Sequence, residues 1–127
     1  MQDEPKPEEL IKAVADFLRS EIAPLVKGHN AFKLRVGINA LDLVTRQLAL
    51  EQGSDAAETA RLTALLGMQG SLVELNRALC DRIAKGDVDL QTPGLADHLW
   101  QTTIDKLAVD QPNYASYKRE LGNERSG

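Results

Sequence analysis

The chain has 127 residues, a net charge of −4 and a pI near 5.1. This length fits one ordinary domain, which buries about two thirds of the surface of its unfolded chain. Hydrophobic residues make up 43% of the sequence and charged residues 27%, which excludes a disordered chain, and an aromatic share of only 4% favours helices packed through aliphatic side chains. The acidic balance, with no basic run longer than Lys118-Arg119, argues against nucleic-acid binding.

The sequence also argues against export and membrane insertion. Its first ten residues, MQDEPKPEEL, are acidic, whereas a secretory signal begins with basic residues followed by an apolar stretch. No apolar run approaches the ~20 residues that span a membrane. The single cysteine, Cys80, excludes an internal disulfide and fits a reducing compartment. We therefore expect a soluble, cytoplasmic protein.

The first predicted helix covers residues 7–23. Its apolar side chains recur at helical spacing on one side of the helix, and its charged side chains lie on the other. Pro7 suits the first helical turn, where its missing N–H has no partner to lose. Pro24 is expected to kink or end the helix, because its ring clashes with the preceding turn. Asn30 is then a candidate cap for the next helix.

The second predicted helix covers residues 31–52 and ends at Gly53. Its apolar positions span roughly 240° of the helix circumference, far more than the stripe of an ordinary surface helix. Such a helix needs neighbours on two sides. It is therefore expected either at the centre of a bundle or at an oligomer interface.

Three further helices are predicted after Gly53. The third begins at Asp55, which has capping-box spacing to Glu58, and ends at the glycines of LGMQGS. The fourth begins at Ser71 and stops at Gly86, and the fifth covers residues 94–109. Residues 113–127 show little periodicity and are expected to form a flexible tail. The predicted fold is a single all-α bundle of about five helices, with an up-and-down four-helix core, over residues 1–112.

No catalytic or metal-binding motif stands out. His29 falls in a turn, His98 is expected to face solvent beside Asp105, and Cys80 is expected to be a small core residue. None of them has the partner spacing that a zinc site or an activated nucleophile requires. The acidic set of Glu51, Asp55 and Glu58 is better explained by helix capping than by magnesium binding. We predict no catalytic residue, no metal site and no cofactor.

A polar strip interrupts the apolar surface of the second helix. It consists of Arg35, Asn39, Asp42 and Arg46, confined to about 60° of the circumference. Glu21 and Asn76 fall on the apolar sides of their own helices, and a buried carboxylate or amide needs a partner. We therefore predict a network of Glu21, Arg35, Asn39 and Asn76. The strip has three interpretations: a solvated strip with weak intrahelical pairs, a structural network, or a site for an anionic ligand.

Residues 1–50, together with LVELNRALCDRIAKGDVD at residues 72–89, resemble a family of small bacterial proteins described as a domain of unknown function. The resemblance extends from residue 1 to about Tyr114. Genes of this family often lie beside those of aminoglycoside/choline-kinase-like phosphotransferases and acyl-CoA dehydrogenases. The resemblance therefore implies an accessory role for such an enzyme in acyl-CoA or other small-molecule catabolism, and it assigns no residue a function.

Two functional hypotheses follow. The first is a non-enzymatic interaction protein, a homodimer that associates through the surplus apolar surface and has a phosphotransferase or acyl-CoA dehydrogenase as a partner. The second is a small-molecule binder or enzyme with an inter-helix pocket, in which Arg35, Asn39 and Arg46 hold an anionic group.

Overall fold

The computed structural model describes the backbone of residues 4–126 and the side chains of residues 4–122. Within that range it contains α-helices and no strand, which confirms the all-α prediction. The five α-helices are α1 (Pro7–Phe17), α2 (His29–Leu66), α3 (Leu72–Lys85), α4 (Leu95–Asp110) and α5 (Ala115–Ser126). The chain divides into two compact units, an N-terminal unit of Met1–Glu51 and a C-terminal unit of Gln52–Gly127.

Pro24 determines how the first helical segment ends. After α1 the chain widens into a π-helix, Leu18–Ile22, and then tightens into a 3₁₀ turn, Ala23–Leu25. The N–H of Ala23 donates to the carbonyl of Leu18, five residues earlier. This wide turn makes room for the proline ring, which would otherwise clash with the carbonyl four residues before it. The predicted interruption at Pro24 is thus confirmed.

Helix α2 runs unbroken through Gly53, so the predicted division into two helices at this point was wrong. The glycine costs the helix only about 1 kcal/mol relative to alanine, and its neighbours in the run LALEQGSDAAETARL are mostly good helix formers. A β-carbon at Gly53 would meet no atom within 4 Å. Asp55 and Glu58 are therefore mid-helix residues rather than caps.

The N-terminal unit is a helical hairpin. Gly28, with φ +69°, lies immediately before α2. Ala23 and Ala31 share a groove beside this turn, while Arg19 reaches Asp42 further from it, so the two segments run antiparallel. Its buried side chains are Ala15 and Ile38, which are 0% and 4% exposed. Two helices share only one contact face, and the contact face of this hairpin buries few side chains.

The C-terminal unit has a larger core. Its buried cluster comprises Leu62, Leu66, Leu75, Leu79, Val88 and Leu95. Helix α3 begins with the predicted capping box, in which Ser71 Oγ accepts from the Glu74 N–H at 3.1 Å and Glu74 accepts from the Ser71 N–H at 3.2 Å. It ends at Gly86, which is left-handed. Near that end, the Arg82 guanidinium donates to the Leu66 carbonyl at 2.9 Å and so satisfies a free acceptor at the end of α2.

Residues Ala115–Ser126 form helix α5, although the sequence pattern indicated no helix there. Tyr117, near the start of this helix, is 9% exposed. Helical periodicity is recognised from several apolar residues at regular spacing, and this segment buries only one aromatic side chain. The total of five helices agrees with the prediction only because one predicted helix merged into α2 while this one was added.

The continuity of α2 predicts opposite effects of the same substitution at two glycines. Gly53→Ala should raise the free energy of unfolding by about 0.5–1 kcal/mol, because alanine restricts the unfolded chain and fits an open helical position. Gly67→Ala is the matched control and should lower it by roughly 1–2 kcal/mol, because Gly67 has φ +65°. Urea unfolding followed by circular dichroism measures both. A loss of stability in Gly53→Ala would contradict the continuous helix.

Candidate functional site

A groove in the N-terminal unit brings together part of the predicted polar strip. Its volume is about 520 Å³, within the usual range for small-molecule sites. The groove is lined by Arg19, Ala23, Gly28, Ala31, Phe32, Arg35, Ile38 and Asn39. Most of this wall is apolar, and the polar atoms come from two arginines and one amide. The i, i+4 spacing of Arg35 and Asn39 places both side chains on the groove, as the sequence suggested.

Arg19 is held by carboxylates on both sides. Its guanidinium donates to Asp16 at 3.1 Å and to Asp42 of α2. Asp16 also accepts from Lys12 at 2.8 Å, and this hydrogen bond, with the nearby positive charges, holds the pKa of Asp16 below its ordinary value of 3.8. Asp42 therefore faces Arg19 across the hairpin, so the positive charge of Arg19 is balanced by carboxylates of the protein.

Arg35 has a different environment. Its guanidinium carbon lies 5.8 Å from the centroid of the Phe32 ring, and the Phe32 ring stacks on His29 at 6.5 Å between centroids. Among residues 4–122, no carboxylate lies within 4.0 Å of the Arg35 guanidinium. An arginine over an aromatic face retains its positive charge and several donors for an external group. Arg35 is therefore the cation that the groove can offer to an anion.

The other predicted site residues lie elsewhere. Arg46 is half-buried further along α2 and is not one of the groove residues. Glu21, in the π-helix, is exposed, so its carboxylate needs no buried donor. Asn76 donates to the Glu58 carboxylate at 3.3 Å and to the Leu72 carbonyl at 3.1 Å. The partners predicted for Asn76 were wrong, because Glu58 was assigned to a helix start that does not exist.

A second polar cluster lies inside the C-terminal unit. The Arg61 guanidinium donates through Nε to His98 Nδ1 at 3.1 Å and through a terminal nitrogen to Thr102 Oγ1 at 3.3 Å. His98 is 3% exposed, so the prediction that it faces solvent beside Asp105 was wrong. Asp105 accepts from Gln101 instead, at 2.9 Å.

The spacing of residues in two helices could have revealed this cluster. Leu95, His98 and Thr102 are three and seven residues apart, which puts the histidine on the buried face that contains Leu95. Arg61 lies four residues before Leu65, which packs against the core, and so shares its face of α2. A helical wheel places Arg61 and His98 on buried helix faces, and a polar side chain is acceptable there when it has a hydrogen-bond partner.

His98 is held as a neutral acceptor. Burial, reinforced by the positive charge of Arg61 and opposed by Glu58, lowers the pKa of His98 below its ordinary value of 6.5. Because Nδ1 accepts from Arg61, the neutral ring carries its proton on Nε2. The lone pair that a general base would need at Nδ1 is already used. The cluster thus has the chemistry of a structural network rather than of a catalytic pair.

Two other chemistry-bearing residues are exposed. Cys80 is an exposed free thiol on α3, so the prediction that it belongs to the core was wrong. His29 lies exposed at the start of α2, where its ring contacts Phe32. Among the described side chains, no group of three or more His, Cys, Asp or Glu residues is placed to hold a metal ion. Within residues 4–126, no helix combines the length and apolar character that crossing a bilayer requires.

The helices described over residues 4–126 define a small all-α domain. A family model described as "Domain of unknown function (DUF6285)" matches residues 24–114. This is well over half of the chain, and the protein belongs to that family. The match ends at Tyr114, as the resemblance implied, and it begins at Pro24 rather than at residue 1. Comparison with curated proteins and with solved structures finds no significant match.

The environment of His98 predicts how stability depends on pH. The unfolded chain takes up a proton near pH 6.5, whereas folded His98 takes it up only at lower pH. Its contribution to stability is therefore complete above pH 6.5 and is lost as the pH falls below that value toward the lowered pKa. The free energy of unfolding, measured by urea titration at a series of pH values, should decrease on acidification through this window.

Two variants isolate this effect. His98→Gln should flatten the pH dependence below pH 6.5, because glutamine does not titrate. His29→Gln, at an exposed histidine, is the matched control and should keep the dependence of the original protein. An unchanged pH profile in His98→Gln would contradict the assignment.

Proposed function

We propose that this protein is a non-enzymatic interaction protein that associates with a second copy of itself through its N-terminal unit. The observation that carries the proposal is the surplus of exposed apolar side chains there. Nine large ones are 39–77% exposed, against two buried residues. The nine are Leu10, Val14, Phe17, Leu25, Phe32, Val36, Val44, Leu48 and Leu50.

The size of this surplus is sufficient for a stable dimer. Full burial of one such side chain is worth about 1.5–3 kcal/mol, so nine half-exposed ones retain roughly 7–13 kcal/mol per copy. Forming a complex costs an estimated 4–15 kcal/mol in lost freedom. Two hairpins, each with an apolar outer face, can pack these faces against each other and remove them from water. Burial of most of this surface in both copies would offset the cost.

The partner that we propose besides the second copy is a phosphotransferase of the aminoglycoside/choline-kinase-like type or an acyl-CoA dehydrogenase. This choice rests on the resemblance of the sequence to its family alone. Its test is co-purification from the native cell: recovery of one of these two enzyme types with the tagged protein would support it, and recovery of neither would remove it.

Sedimentation velocity tests self-association. We expect a dimer at micromolar concentration. In Val36→Glu the dissociation constant should rise at least tenfold, because the interface would have to bury a carboxylate. Val73→Glu is the matched control, since Val73 is 66% exposed on α3 of the C-terminal unit, and it should leave the dissociation constant unchanged. A monomer at high micromolar concentration would overturn the proposal.

A second candidate function is binding of a small organic anion, and the groove favours it. Phe32 and Ile38 provide an apolar wall, and Arg35 provides a positive charge without a carboxylate partner among residues 4–122. Asn39 adds an amide beside it. Arg46, the other arginine predicted for this site, does not line the groove. A carboxylate or phosphate with an apolar body has the matching chemistry.

Thermal unfolding tests this second function. The melting temperature should rise by a few degrees when acyl-CoAs, nucleotides or sugar phosphates are added at concentrations well above the dissociation constant. Arg35→Ala should abolish the rise. Arg77→Ala removes an exposed arginine from α3 and should retain it. If no compound at millimolar concentration shifts the melting temperature, the groove is not a site for these anions.

A further inference from the structure

The part of α2 in the N-terminal unit has apolar side chains on two opposite faces. Ile38 is buried, and Leu34 and Leu41 beside it are half-buried, which marks the face turned toward the first helical segment. Ala40 lies about 160° around the helix from Ile38 and is exposed. The outer apolar face is therefore distinct from the one that the hairpin already uses.

The outer face carries an unbroken ridge. Its members follow one another at i, i+4 spacing and are all exposed: Phe32, Val36, Ala40, Val44 and Leu48. We call them the α2 ridge. Each step turns about 40° around the helix, so Val36, Ala40 and Val44 form the centre of the outer face, while Phe32 and Leu48 lie about 80° to either side of Ala40. A row of this spacing is inclined to the helix axis by about 26°. The smallest side chain, Ala40, is at its centre, with a valine on each side and a larger side chain at each end.

Two polar residues on the outer face of α2 restrict the angle at which a neighbouring helix can cross it. Lys33 and Gln47, seven residues before and after Ala40, fall within about 20° of a line through Ala40 parallel to the helix axis. Both are exposed. A neighbouring helix aligned with α2 would bury Lys33, whereas one that crosses at a steep angle would follow the ridge and leave Lys33 in water. The ridge therefore fits a crossing helix.

We propose that the α2 ridge packs against the same ridge of a second copy, with the two α2 helices crossing at about 50° close to Ala40. This inference deepens the proposed self-association and depends on it. Interdigitation of two i, i+4 ridges produces a crossing of this angle. A two-fold axis places Ala40 opposite its counterpart, and two methyl groups at the crossing let the helices approach closely.

A second copy suits the ridge better than an unrelated partner. None of the five side chains is charged, so an identical ridge can meet it without burying a like-charge pair. The same side chains, centred on Val36, Ala40 and Val44, are then available on both sides, so each copy contributes apolar surface to the contact. A two-fold interface requires this self-complementarity.

Disulfide trapping tests the crossing point. Cys80 is an exposed thiol, so the experiment uses a Cys80→Ser background, and Ala40→Cys then introduces the single cysteine. A disulfide needs its two β-carbons about 3.5–4.5 Å apart, which only a contact close to the two-fold axis provides. Mild oxidation with copper phenanthroline should convert most of the Ala40→Cys protein to a covalent dimer on a non-reducing gel.

Ala49→Cys in the same background is the matched control. It makes the same substitution at an exposed alanine of α2, about 180° around the helix from Ala40. We expect at least tenfold less covalent dimer from it. Diluting the protein below the dissociation constant found by sedimentation velocity should abolish trapping at residue 40.

The outcomes separate this inference from the proposed function. If sedimentation shows a dimer and Ala40→Cys cross-links no faster than Ala49→Cys, self-association stands and the ridge is not its interface. If sedimentation shows a monomer and neither variant cross-links, both are overturned. Rapid trapping at residue 40 alone, in a protein that sediments as a dimer, supports the crossing.

Discussion

The persistence of α2 through Gly53 is the constraint on which the other features depend. Because this helix does not end at residue 52, its first part supplies one side of the N-terminal hairpin and its last part supplies Leu62 and Leu66 to the core of the C-terminal unit. Glu58 and Arg61 are then mid-helix side chains that reach neighbouring helices. One helix therefore contributes both to the hairpin of the N-terminal unit and to the core of the C-terminal unit.

The two units differ in how they bury apolar side chains and where they place charged ones. The C-terminal unit encloses a leucine-rich core and places polar groups inside it as a paired set, with Arg61 donating to His98 and Thr102. The N-terminal unit buries little and binds its charges at the surface, through the row of Lys12, Asp16, Arg19 and Asp42. Surface ion pairs of this kind contribute little stability. Among residues 4–51, more large apolar side chains are exposed than buried.

Local signals in the sequence predicted local structure well. Pro24, the Ser71 capping box and Gly86 each act on atoms a few residues away, and the structure confirms all three. Gly53 was misjudged because a helix tolerates glycine at a cost that good neighbouring residues offset. The partners of Asn76 depend on which helices pack together, and no residue pattern within one helix contains that information. The burial of His98 could have been inferred, because His98 lies on the same helix face as Leu95.

The prediction for the polar strip of α2 was only partly right, because it used the residue pattern of one helix and not the contacts between helices. The spacing of Arg35 and Asn39 placed them on one face, and both line the groove. Asp42 is paired with Arg19, because the antiparallel hairpin brings a second helix beside it. Helical periodicity determines which side chains share a face, but the identity of the opposite helix decides which of them stay available.

Phe32 lies on the wall of the groove and at one end of the α2 ridge. If a ligand in the groove and a second copy both contact Phe32, any coupling between them is reciprocal: the factor by which the first changes the affinity of the second equals the factor by which the second changes the first. A ligand in the groove would then change the dissociation constant of the dimer, and dimerisation would change the affinity for the ligand by the same factor. The ring of Phe32, which stacks on His29 and lies under Arg35, is the element through which such coupling would pass.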